Sequence, residues 1–115
     1  MKASLRSIGC DWLDLSSYEP EQSNYFQFLA HLCIGPIGEE GINHFDVYIC
    51  TPEWLCKHHW VPKLMRHTLL VRKYDLDEIT KTITDYIEQC EGKDWMEIAQ
   101  KLSRVFAWEY EDYQP

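Results

Sequence analysis

The chain has 115 residues, five cysteines and a formal net charge of -8. That length sets one domain, residues 1–115, as the expectation, with enough chain to bury one core. Negative charge repels phosphate and argues against nucleic acid as a direct ligand. No stretch reaches the ~20 apolar residues of a membrane span, which leaves no membrane partner. The cysteines are odd in number and irregular in spacing, and no apolar leader follows Met1-Lys2. They read as reduced, mostly buried thiols of a cytoplasmic protein.

Leu5 to Cys10 is a weak strand, and Ser16 to Ser23 reads as a loop around Pro20. Tyr25 to Ile34 is the first clear strand. Phe26, Phe28, Ala30, Leu32 and Ile34 share one face by period two, and Tyr25, Gln27, Leu29, His31 and Cys33 share the other. That second, mixed face predicts partial cover by something else. The run 35–41 is dense in turn residues, and His44 to Cys50 forms the second arm of a hairpin, with Phe45, Val47 and Ile49 on one face.

Thr51-Pro52-Glu53 opens a short helix, with Thr51 as cap. His67 to Tyr74 is a further strand. Asp75 caps a helix whose stripe is Ile79, Ile83, Tyr86, Ile87 and Cys90, and Gly92 is expected to close it in the left-handed region. Asp94 caps a second helix with Trp95, Ile98, Ala99, Leu102, Val105 and Phe106 as its stripe. Strands first and helices last predict an α+β fold. Its antiparallel sheet has about four strands, with two longer C-terminal helices and one short helix packed on it.

Charge is unevenly placed. Acids outnumber bases seven to two in residues 1–50 and ten to four in 76–115, whereas bases lead five to two in 51–75. The basic stretch, with Trp60 among Lys57, Lys63, Arg66, Arg72 and Lys73, reads as ion-pairing with the acidic helices or as one lobe of a mixed surface. Cys56, His58 and His59 are the one concentration of metal-ligand types. A structural zinc site needs a second short-spaced pair, and none follows. Metal and cofactor are therefore not expected; a small Cys/His metal-binding regulator or adaptor is the alternative reading. No nucleophile, base and orienting group can be named together, so the chain does not read as an enzyme. The loop at Gly35–Gly38 lacks the spacing of a phosphate cradle, and Glu39 and Glu40 oppose an anion there.

The C-terminal stretch alternates Trp108, Tyr110 and Tyr113 with Glu109, Glu111 and Asp112. Rigid aromatic area beside carboxylates suits the grip of Arg and Lys on a protein partner. Packing of the same aromatics on the sheet is the competing reading.

These stretches resemble immunity protein family eight of bacterial polymorphic toxin and contact-dependent inhibition systems. The likeness rests on Ile34-Gly35-Pro36 through Cys50-Thr51-Pro52-Glu53-Trp54-Leu55, on His67 to Asp75, and on Cys90 through Trp95 to Tyr113. The resemblance implies an antitoxin that binds a cognate toxin domain, often a nuclease, and neutralises it. A basic nuclease site would attract an acidic plug. Glu39, Glu40, Trp108, Glu109, Tyr110, Glu111, Asp112 and Tyr113 are then the expected toxin-binding residues.

Overall fold

The structure is a computed structural model and describes residues 1–110. Five strands and three helices follow in the order β1 (Ala3–Gly9), β2 (Gln27–Pro36), β3 (Asn43–Cys50), α1 (Pro52–His58), β4 (Thr68–Leu70), α2 (Leu76–Gln89), α3 (Trp95–Leu102) and β5 (Ala107–Trp108). They form the α+β fold that the order of elements predicts.

The period-two alternation of β2 and β3 sets the register. Phe28 lies opposite Ile49, Ala30 opposite Val47, and Leu32 opposite Phe45. All six are buried on one face. Ile79, Ile83 and Ile87 of α2 and Ile98, Ala99 and Leu102 of α3 join them in one core. Each fully buried Ile contributes about 1.5–3 kcal/mol by leaving water. Both helices begin at aspartate caps, as their sequences predict. Asp75 accepts the Glu78 N–H at 3.2 Å and Asp94 the Glu97 N–H at 2.9 Å.

β1 pairs antiparallel with β2, but the register shifts between Leu5 and Ser7. This bulge lets both Leu5 and Ile8 pack against the core. Simple alternation would have sent one of them to the other face.

Some details depart from the expectations. The sheet is mixed: β4 runs parallel to β3, with Tyr48 beside Thr68 and Cys50 beside Leu70. The connection of residues 51–67, which includes α1, carries the chain back to a point beside Tyr48, and a crossover of that length permits a parallel neighbour. β4 is also shorter than the expected 67–74. A fifth strand, β5, pairs antiparallel with the other end of β3. Helix α1 buries none of its residues in the core. Its Trp54 and Leu55 lie instead beside Gln27, Tyr48 and Cys50, on the face opposite α2 and α3.

Gly92 is not left-handed; among the glycines only Gly38 and Gly41 have positive φ. Its constraint is closeness, since a Cβ there would stand 2.9 Å from the Glu97 Cβ. Val105 is exposed, because α3 ends at Leu102 and the turn after it carries Val105 away from the stripe. Of the five thiols only Cys50 and Cys90 are buried; Cys10 and Cys33 are half-buried and Cys56 is exposed.

Candidate functional site

The helices α2 and α3 cover one face of the sheet, and on the other, among the described residues, only the short α1 lies over the end at Gln27, Tyr48 and Cys50. The side chains of this second face are those of the mixed alternation: Gln27, Leu29, His31 and Cys33 from β2, and His44, Asp46 and Tyr48 from β3, paired across the ladder. Two grooves cross this face. One, of about 460 Å³, has Gln27, Tyr48 and Cys50 on its floor, with α1 on one side and the arm 59–66 on the other. The second, of about 390 Å³, is bounded by Asp11, Trp12, Leu13 and Tyr18, with Leu29 and His31 beneath. Both grooves are lined by Gln27 and Tyr48, so they lie side by side across the strands as the two halves of a trough.

The walls carry unusually bare apolar side chains. Trp12 is 91% exposed and Leu64 100% exposed. Tyr48, at the junction, is 46% exposed. An isolated exposed Leu is ordinary, whereas several large apolar groups along one face are not.

The loop bearing Trp12 is fixed on both sides. Asp11 Oδ2 lies 3.1 Å from His31 Nε2, and Asp46 Oδ1 lies 2.6 Å from His31 Nδ1. A protonated imidazole donates to both carboxylates, and the hydrogen bond to Asp46, with that to Asp11, raises the His31 pKa against the opposing effect of burial. Beyond Trp12, Asp14 Oδ1 accepts the Ser16 N–H at 3.0 Å and the Ser16 hydroxyl at 2.6 Å. Those bonds hold the Asp14 carboxyl below its ordinary pKa. Leu15 is buried, and Tyr18 meets Tyr74 edge-on at 5.0 Å. The opposite wall is tied at its base. The Tyr48 N–H donates to the His67 carbonyl at 3.0 Å, and Arg66 Nη2 donates to the Ser103 carbonyl at 3.3 Å.

The hairpin end of the face is acidic. Glu39 and Glu40 are exposed on the β2–β3 turn. This turn folds back so closely that a Cβ on Gly35 would stand 2.2 Å from the Gly41 carbonyl oxygen. Arg6 fastens it, donating to the carbonyls of Pro36 and Glu39. Glu109 joins from β5: its carboxylate accepts the His44 N–H at 3.2 Å, and its own N–H donates to the His44 carbonyl at 3.3 Å. Trp108 lies on the core side, stacked on Phe45 with centroids 6.2 Å apart. Packing thus accounts for Trp108, whereas Tyr110, edge-on to it, is 49% exposed. Glu111, Asp112 and Tyr113 lie outside the described residues.

The Cys56-Lys57-His58-His59 run is used locally. His58 stacks on Trp54 at 4.2 Å and meets the Tyr25 hydroxyl at 2.8 Å, while Lys57 sits over the Tyr25 ring. Among the described residues no group of three or more His, Cys, Asp or Glu is gathered to hold a metal. Cys33 Sγ and His44 Nδ1 lie 3.5 Å apart on the open face.

A family model described as Immunity protein 8 matches residues 3–113. The chain belongs to the Immunity protein 8 family. No curated protein and no solved structure matches it. Membership makes the chain an immunity protein, and an immunity protein implies a toxin as partner. For this Immunity protein 8 member, the relevant geometry is therefore a binding face. The acidic carboxylates stand out in the sequence, whereas Trp12, Leu64 and the His31 clamp do not. The available signal was the mixed face of β2, which helices 76–89 and 95–102 leave open. No helix among the described residues is long and apolar enough to cross a membrane.

Proposed function

We propose that this immunity protein neutralises a basic cognate toxin domain, a nuclease, by occupying its active site or the path of its substrate. It acts in the cytoplasm of the producing cell and does so by binding, without catalysing a reaction. The observation that carries this reading is the grouping of Glu39, Glu40 and Glu109 at the hairpin end of one sheet face, in a chain of net charge -8. Carboxylates held on a rigid frame attract a phosphate-binding site from a distance and grip its Arg and Lys on contact. Tyr110 adds exposed aromatic area next to them. Glu111, Asp112 and Tyr113 extend the proposed set on sequence grounds.

The test is calorimetric titration of this protein with its cognate toxin domain, with toxin activity assayed alongside. A one-to-one complex that abolishes toxin activity is the expected result. Absence of heat and of inhibition would contradict the reading. Reversing Glu39, Glu40 and Glu109 to Lys should slow association by about tenfold at low salt, since steering of this kind raises on-rates by 10–10³. An unchanged on-rate would remove these carboxylates from the encounter.

A further inference from the structure

We propose that the toxin domain docks on the face of the sheet opposite α2 and α3, seating an apolar ridge in the trough between Trp12 and Leu64 and placing basic residues over the acidic hairpin end. The inference rests on the toxin-binding reading and adds the surface and the division of labour within it.

Three observations converge. The first is the pair of bare apolar walls, Trp12 and Leu64, on either side of a trough floored by Leu29 and Tyr48. The second is preorganisation. Trp12 is almost wholly in water, yet its loop is clamped by His31 on one side and by the Asp14 turn and buried Leu15 on the other. A loop already held in place loses little backbone entropy on binding, and an exposed Trp carried on it is the residue type that dominates interface energetics. Nothing in the core needs this side chain.

Charge continuity is the third observation, and it identifies the occupant. Ladder positions run from Tyr48 at the trough, through His31–Asp46, to Cys33–His44 with Glu109 fastened to the His44 backbone. The trough and the carboxylates are thus successive parts of one face. A partner attracted to the acidic end is brought over the apolar trough. The partner must then be basic beside an apolar ridge. At the far end the trough is bordered by Lys63, so an acidic group at that end of the ridge completes the match.

The two parts have separate kinetic signatures. Long-range charge sets the association rate and its salt dependence, whereas burial of anchors sets the dissociation rate. The experiment is surface plasmon resonance of the full-length protein with the toxin domain, comparing wild type with Trp12→Ala, Leu64→Ala and their double variant. Because both side chains are exposed, these variants fold as the wild type does, which circular dichroism and the thermal midpoint check. Met96→Ala, an exposed apolar site on α3, is the control.

The inference predicts that each trough variant speeds dissociation at least tenfold with an association rate within twofold of wild type, and that Met96→Ala changes neither. Dissociation rates unchanged in the double variant would overturn the inference while leaving toxin binding intact. Equal losses for Met96→Ala and the trough variants would overturn it as well. Failure of the wild type itself to bind would overturn the toxin-binding reading and this inference with it.

Discussion

Gly35 is invisible to hydrophobic pattern and yet decides the shape of the acidic end. Any side chain there meets the Gly41 carbonyl oxygen, and the guanidinium of Arg6 closes the remaining space. Gly35→Ala should cost about 1–3 kcal/mol, the usual range for overpacking a tight site. Urea unfolding would measure it, and an unchanged midpoint would show that the turn can shift at no cost. His31 is the second decisive residue. Its folded pKa is raised above the ordinary value of 6.5, first by the bond to Asp46 and then by Asp11. A raised pKa in the folded state means that the charged form favours folding. The contribution is therefore fully present below about pH 6.5 and is lost as pH rises through the raised value. The stability gap between wild type and His31→Gln should shrink as pH rises above about 6.5, with amides near Trp12 shifting over the same rise. A gap independent of pH would show that His31 does not carry a proton between Asp11 and Asp46.

At the scale of elements, stability divides between local caps and shared core. Asp75→Ala and Asp94→Ala each remove one side-chain bond at a helix start and should each cost about 1 kcal/mol by chemical denaturation. Ile87→Ala, at a residue wholly buried between α2 and the sheet, should cost about 2–5 kcal/mol. If the caps proved as costly as the core site, α2 and α3 would depend on their own ends more than on the sheet. The same contrast explains what was legible in the sequence. Phe26 to Ile34, Phe45 to Ile49 and the two aspartate caps announce themselves through short-range pattern, and the structure places them as read. β1 gave a weak signal because its bulge puts Leu5 and Ile8, an odd spacing, on one side. The parallel β4 was hidden because strand direction is set by the crossover through α1, a long-range matter. The features of the proposed face differ in how far the sequence shows them. Glu39, Glu40 and Glu109 stand out as charges, but Trp12 carries no pattern of its own. Its placement depends on His31, in a neighbouring strand and twenty residues from Asp11, which it holds.

Across the whole molecule the charge is polarised along one face. The carboxylates of Glu39, Glu40 and Glu109 occupy one end, the trough lies further along, and Lys63 borders its far side. Steering by such a surface is screened within a Debye length of about 8 Å at physiological salt. The association rate with the toxin domain should accordingly fall steeply between low and physiological salt, while the dissociation rate changes little. Stopped-flow mixing at several salt concentrations separates the two, and a salt-independent association rate would remove charge from the encounter. The central claim is that the toxin sits on the face opposite α2 and α3. Hydrogen–deuterium exchange of the protein alone and in complex tests it most directly. The account predicts slowed exchange at residues 10–14 and 59–66 and across the 37–42 turn, with α2 and α3 unchanged on their outer faces. Protection confined to α2 and α3, with the trough exchanging as in the free protein, would contradict it.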